Sequence, residues 1–90
     1  MRIIGNKWTG SILWHLKDNP MRFNEIARQL AGASKKVLAE RLKAMEENKL
    51  ITREVISSKP VAVQYNIADR GLSALIILEE LKNWTLENDL

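Results

Sequence analysis

The fold of this 90-residue chain is decided by residues 22–49, which read RFNEIARQLAGASKKVLAERLKAMEENK. Apolar residues recur there every three or four positions, on either side of a tight connection that contains Gly32. They are Ile26, Ala27 and Leu30 before the connection and Leu38, Leu42 and Met45 after it. This spacing predicts two amphipathic helices joined by a short turn.

Polar residues and a proline predict where the helices begin and end. The candidate N-caps are Asn6, Asn24, Ser34 and Asp69, for helices over about residues 7–17, 24–30, 35–48 and 70–88. Pro20 ends the first helix, because proline disfavours the helical conformation in the residue before it. Asn48 can take the left-handed conformation that ends the third helix.

The hydrophobic period changes to two after the third helix. In the segment VAVQYNI, residues 61–67, every odd-numbered residue is apolar, which predicts a half-buried strand. A β-branched segment over 50–56 precedes it, and the turn-rich residues SSKP lie between the two. Residues 21–23 form another short extended piece. The order of elements predicts one mainly α domain over residues 1–90 with a small β-hairpin wing, the winged helix-turn-helix fold.

Composition and charge exclude several classes of protein. The chain contains no cysteine, so a disulfide framework, a thiolate metal site and a cysteine nucleophile are excluded. Its longest apolar run, residues 74–78, is far shorter than the roughly 20 residues that span a bilayer, and no export signal is evident. We expect a cytoplasmic protein with no membrane partner. Residues 1–50 carry ten basic and five acidic side chains, which favours a polyanionic partner.

The second helix of a helix-turn-helix fits the DNA major groove, and the third helix of this chain has the side chains that such docking needs. Ser34, Lys35 and Lys36 are candidates for phosphate contacts at its N-terminus, where the helix dipole favours anions. The other candidates are Ala39, Glu40 and Lys43 for base edges, Arg41, Arg22 and Asn24 for further DNA contacts, and Lys59 for the hairpin tip.

These assignments have structural alternatives. The lysines of the third helix can form a solvated face, and Glu40 is more simply a surface carboxylate. Asn24 is first of all a helix cap. Arg22 and Arg41 can instead form ion pairs with nearby glutamates. Those glutamates are Glu25, Glu40 and Glu46.

The last predicted helix carries more apolar surface than one small domain needs. A helix that is apolar nearly all round needs partners on several sides, and a second copy of the chain is the simplest one. The candidate dimer contacts on this helix are Ile77, Leu78, Leu81 and Trp84. The tryptophans at 8, 14 and 84 can alternatively line a ligand pocket, so a small-molecule effector of unknown identity stays open as a partner.

No catalytic or cofactor-binding constellation is present in the sequence. His15 is the only histidine, and one imidazole without cysteine cannot assemble a typical zinc site. The four glycines do not cluster into a phosphate-binding loop, and adjacent carboxylates such as Glu79 and Glu80 diverge on a helix. We therefore expect no enzyme activity, no metal and no cofactor.

Several blocks of the sequence closely resemble the HxlR-type winged-helix transcription regulators of the MarR-like superfamily. They include GNKWT at 5–9, RFNEI at 22–26, GASKKVL at 32–38, RL at 41–42, the segment 60–65 and Gly71, and the similarity covers about residues 4–84. The resemblance implies a prokaryotic homodimer that binds DNA and represses or activates neighbouring genes. It also implies dimer contacts from the first and last helices, about 5–17 and 70–88, which adds Trp8 to the candidate interface.

Three departures from the family pattern limit what the resemblance implies. Many relatives sense electrophiles or oxidants through a cysteine upstream of the KWT block, and this chain has no cysteine, so that mechanism is excluded. The short N-terminus leaves the dimer geometry open. Ala68-Asp69 replaces the Leu-Thr-Glu type of entry to the last helix, which places the expected cap at Asp69.

The sequence therefore predicts a transcription regulator that binds double-stranded DNA sequence-specifically, as a homodimer on a pseudo-palindromic operator. The alternative is a winged-helix interaction module that uses the same basic surface to bind an acidic protein and does not bind DNA.

Overall fold

The computed structural model describes residues 7–30 and 32–89. Its elements, in chain order, are α1 Lys7–Leu16, β1 Met21–Arg22, α2 Phe23–Gln29, α3 Lys35–Glu47, β2 Ile51–Ser58, β3 Val61–Ile67 and α4 Asp69–Glu87. This order confirms the mainly α fold with a β-hairpin. None of the described helices is both long enough and apolar enough to cross a bilayer.

Ser34 is the N-cap of α3 as predicted, but α2 and α4 begin differently. The N-cap of α2 is Arg22, so Phe23 and Asn24 lie inside the helix, and the prediction of an Asn24 cap is wrong. The physical reason is Glu25, whose carboxylate accepts a hydrogen bond from the Arg22 backbone N–H at 2.8 Å and thereby satisfies the start of the helix.

Asn48 is the C-cap of α3, but the left-handed conformation expected there and the N-cap expected at Asp69 differ from the structure. Asn48 keeps a φ of −88° and donates a hydrogen bond from its side-chain amide to the Ala44 carbonyl oxygen, while Lys49 takes the left-handed conformation. Ala68 is the N-cap of α4, and Asp69 lies in the first turn, where a carboxylate interacts favourably with the helix dipole. The expected Asn6 cap lies outside the described residues.

The three strands form one antiparallel sheet in the order β1-β3-β2. Met21 pairs with Tyr65, and Ile51 pairs with Ile67. The register shifts between Val55 and Ser57, so β2 contains a bulge. Because β2 continues to Ser58, two residues beyond the predicted strand, the hairpin extends well past the core.

The helices and the base of the hairpin enclose one hydrophobic core. Its buried residues are Ile12, Leu13, Leu16, Ile26, Leu30, Leu38, Leu42, Met45, Leu50, Ile51, Ala74 and Leu75. The apolar residues predicted for α3 are all in this set, each at most 2% exposed. The core therefore fixes one face of α3 and leaves the opposite face in solvent.

Candidate nucleic-acid interface

The turn between α2 and α3 sets the orientation of the exposed helix. Gly32 has a φ of +94°, a conformation that residues with a side chain rarely adopt. After the turn, the Ser34 hydroxyl oxygen accepts a hydrogen bond from the Val37 backbone N–H at 3.1 Å. The glycine turn and the serine cap together fix where α3 begins.

The solvent side of α3 carries most of the predicted DNA contacts. Ser34, Lys35, Lys36, Ala39, Glu40 and Lys43 are all exposed. Arg41 differs from them because it is only half exposed and lies toward the flank of the helix. Val37, which sequence reasoning did not select, is 37% exposed and adds an apolar contact surface to the first turn.

Within the part of the chain that the structure describes, no basic side chain of this surface forms an ion pair with an acid. The ion pair found among the described residues joins Lys17 Nζ to Asp18 Oδ2 at 3.1 Å. Both residues are remote in sequence from α3. The alternative in which Arg22 and Arg41 form clamps with glutamates therefore has no ion pair to support it. Glu25 serves instead as the acceptor for the Arg22 backbone. The cations of α2 and α3 are available to an anionic partner.

A shallow depression separates the solvent sides of α2 and α3. It is lined by Asn24, Ala27, Arg28 and Lys35. The structure thus brings together two predicted DNA-contact residues, Asn24 and Lys35, with Arg28, which the sequence analysis missed. The available signal was the four-residue spacing of Asn24 and Arg28, which places both on one face of α2.

The β2–β3 hairpin carries the last predicted contact. Lys59 lies exposed in its turn, where a cis peptide bond joins Lys59 to Pro60. Arg22 pairs with Gln64 on β3, so it lies on the edge strand β1 of the sheet. Gln64 in turn donates a hydrogen bond to the Glu54 carboxylate at 3.2 Å.

The predicted dimer residues fall into two groups. Ile77, Leu81 and Trp84 of α4 are 59%, 56% and 52% exposed, and their spacing places them on one side of the helix. Trp8 and Leu78 are half-buried and pack against the core. The exposed α4 residues therefore form the apolar surface of this set, and the other two are partly withdrawn into the core.

No group of three or more potential metal ligands occurs within residues 7–30 and 32–89. His15 is half-buried, and its ring contacts the Trp14 ring edge-on with the ring centroids 5.0 Å apart. His15 thus packs against its neighbour in α1.

Comparison with known proteins decides the family. A model of the HxlR-like helix-turn-helix family matches residues 3–89. The chain belongs to the HxlR-like helix-turn-helix family. The HTH-type transcriptional regulator YodB of Bacillus subtilis (strain 168) is 37% identical to this HxlR-like protein over 82 residues, which cover 91% of the chain and 73% of YodB.

Solved structures show the same fold. Diamide-treated YodB from B. subtilis matches this HxlR-like protein with a TM-score of 0.86 at 35% identity, over 96% of the chain and 85% of the YodB chain. A protein of Enterococcus faecalis V583 assigned to the MarR family of transcriptional regulators matches with a TM-score of 0.88 at 30% identity. The match covers 98% of this chain and 80% of the E. faecalis chain. This HxlR-like protein is a helix-turn-helix transcription regulator with the winged-helix fold.

Proposed function

We propose that this protein binds double-stranded DNA sequence-specifically, as a homodimer on a pseudo-palindromic operator, and thereby regulates transcription in the cytoplasm. The observation that carries the proposal is the contrast between the two sides of α3. Its underside is buried in the core, and its solvent side presents three exposed lysines, none of which forms an ion pair within the described residues.

In the proposed complex, α3 of each protomer enters the major groove, and the two grooves are roughly 34 Å apart on one side of the duplex. Ser34, Lys35 and Lys36 contact phosphates, which fix the register but do not select the sequence. Ala39, Glu40 and Lys43 face base edges. The remaining contacts are proposed for Lys59 at the hairpin tip, for Asn24 and Arg22 at the start of α2, and for Arg41 at the flank of α3.

The homodimer is proposed to form through α1 and α4. Isolated large apolar side chains are common on surfaces, but Ile77, Leu81 and Trp84 are spaced so that they share one side of α4. A second copy of the chain covers this surface with an identical one. The dimer also places two copies of α3 on one duplex, which a symmetric operator requires.

An effector that regulates this protein would have no cysteine thiol to react with in the 90 residues of the chain. The structures that match include a reduced form of YodB, whereas the 90 residues of this chain contain no cysteine. Any regulation by a small molecule is therefore proposed to use non-covalent binding or another side chain.

Selection of genomic DNA fragments by the purified protein tests the proposal. The enriched fragments should share a motif whose two halves are related by symmetry and separated by one helical turn. For 6–10 neutralised phosphates, affinity should fall by about 10³–10⁵ between 50 and 200 mM salt. If no duplex binds even in dilute buffer, the basic surface serves a protein partner instead.

A further inference from the structure

The depression between α2 and α3 has the composition of an anion site. Arg28 projects from α2 and Lys35 from the first turn of α3, so two cations from different helices flank one small space. Asn24 adds an amide donor, and Ala27 contributes only a methyl group, which leaves room for a ligand. None of the described residues that line it is a carboxylate.

Neither cation is neutralised by its own helix. Glu25, three residues before Arg28, is the natural partner on α2, but its carboxylate accepts the Arg22 backbone N–H at 2.8 Å and forms no ion pair of 4.0 Å or less with any described residue. Lys35 has Leu38 and Ala39 at the following three- and four-residue spacings, so α3 supplies no acid to it.

The other lysines of α3 are different in this respect. Lys36 is followed four residues later by Glu40, and Lys43 is followed four residues later by Glu47. At these spacings the opposite charges partly compensate each other even without a close ion pair. Lys35 is therefore the lysine of α3 with the least local compensation, and Arg28, which lies across the depression from it, forms no ion pair within the described residues.

We infer that Arg28 and Lys35 hold the same backbone phosphodiester of duplex DNA, with the Asn24 amide as a third donor. The inference rests on the proposed function, and it names a contact that fixes the register of α3 in the groove. Arginine offers a planar fork of N–H donors and lysine a compact charge, so the two can approach one phosphate from two sides.

Fluorescence anisotropy with a duplex that contains the selected site tests this contact. Arg28→Ala and Lys35→Ala should each weaken binding about tenfold, for selected and random duplexes alike. The matched control is Lys82→Ala, which removes an exposed lysine from α4 and should leave affinity unchanged. Circular dichroism of each variant should match that of the unmodified protein, since all three side chains are exposed.

The double variant shows whether one phosphate is shared. The slope of log affinity against log salt falls by about 0.9 for each phosphate that is no longer neutralised. In a dimer that carries both Arg28→Ala and Lys35→Ala in each protomer, the magnitude of this slope should therefore fall by about 1.8 if the two cations of a protomer share one phosphate. It should fall by about 3.6 if they hold different phosphates. The larger loss would overturn the inference.

Replacement of single phosphates by uncharged methylphosphonate locates the contact. At one position in each half-site, the replacement should weaken binding of the unmodified protein. On that modified duplex, Arg28→Ala and Lys35→Ala should each cause no further loss of affinity. Loss of these effects at two different positions would refute a shared phosphate. If the unmodified protein binds duplex DNA but Arg28→Ala changes neither affinity nor salt slope, only this inference fails; if the unmodified protein binds no duplex, the proposed function fails.

Discussion

Gly71 packs directly against the backbone of Leu50. A Cβ atom placed on Gly71 would overlap the Leu50 carbonyl oxygen, and it would also come within 2.9 Å of the Ile67 side chain and 3.1 Å of the Leu13 side chain. The same Leu50 oxygen accepts a hydrogen bond from the Ala68 backbone N–H at 3.0 Å. The start of α4 is thus bonded to the residue that precedes β2, at a distance that only glycine permits.

Gly71→Ala should destabilise the protein, because the Leu50 backbone cannot move aside as a flexible side chain would. We expect the free energy of unfolding, measured by urea titration, to fall by at least about 1–3 kcal/mol, which is the typical cost of overpacking a core. Gly10→Ala is the matched control, since its Cβ would meet Leu78 at an ordinary 3.7 Å. That variant should be neutral or more stable by up to about 1 kcal/mol, and equal destabilisation of both would contradict the packing argument.

Substitutions of Ser34 should separate the stability of α3 from its affinity for DNA. Ser34→Ala removes the acceptor of the Val37 N–H and should cost about 1 kcal/mol in the free energy of unfolding. Ser34→Asp keeps a good cap and should retain most of the stability. Its added negative charge should nevertheless weaken DNA binding more than the alanine does. An aspartate variant that binds as tightly as the unmodified protein would show that no phosphate approaches this residue.

Lys35→Ala and Lys43→Ala should have different effects on sequence preference. Lys35 is assigned to phosphate, so its loss should weaken all duplexes by the same factor. Lys43 is assigned to base edges, so its loss should reduce discrimination between the selected site and random DNA. Both effects are measurable by titrating each variant against the two duplexes in the same salt. Equal loss of discrimination in both variants would overturn the assignment.

Leu81→Glu should shift the protein from dimer to monomer in sedimentation equilibrium, because it introduces a charge into the proposed contact surface. Leu81 is 56% exposed in the single chain, so the monomer should keep its helical circular dichroism. Asn83→Glu is the control, because it lies about 200° around α4 from Leu81 and should leave the dimer intact. A Leu81→Glu protein that stays dimeric would place the interface elsewhere.

Most of the fold could be predicted from short-range patterns. The burial of Leu38, Leu42 and Met45 follows from their spacing, and the Ser34 cap follows from its residue type and position. The errors arose where two local signals competed. Arg22, whose backbone N–H donates to the Glu25 carboxylate, is the N-cap in place of Asn24, and Lys49 rather than Asn48 took the left-handed conformation.

The candidate site was harder to predict than the fold because it depends on contacts between helices. The lysines on the solvent side of α3 were identifiable from helical spacing alone. Arg28 was not, since its proximity to Lys35 depends on how Gly32 orients α3 relative to α2. The half-buried position of Arg41 likewise depends on neighbouring elements rather than on its own helix.

The central position of β3 in the sheet couples two parts of the molecule mechanically. This strand bonds to β2 on one edge and to β1 on the other, and β1 ends at Arg22, the residue at which α2 starts. A force applied to the tip at Lys59 is therefore transmitted along β3 to the base of α2. In the proposed complex, strain at the hairpin tip would therefore reach the start of α2 through the sheet as well as through the DNA.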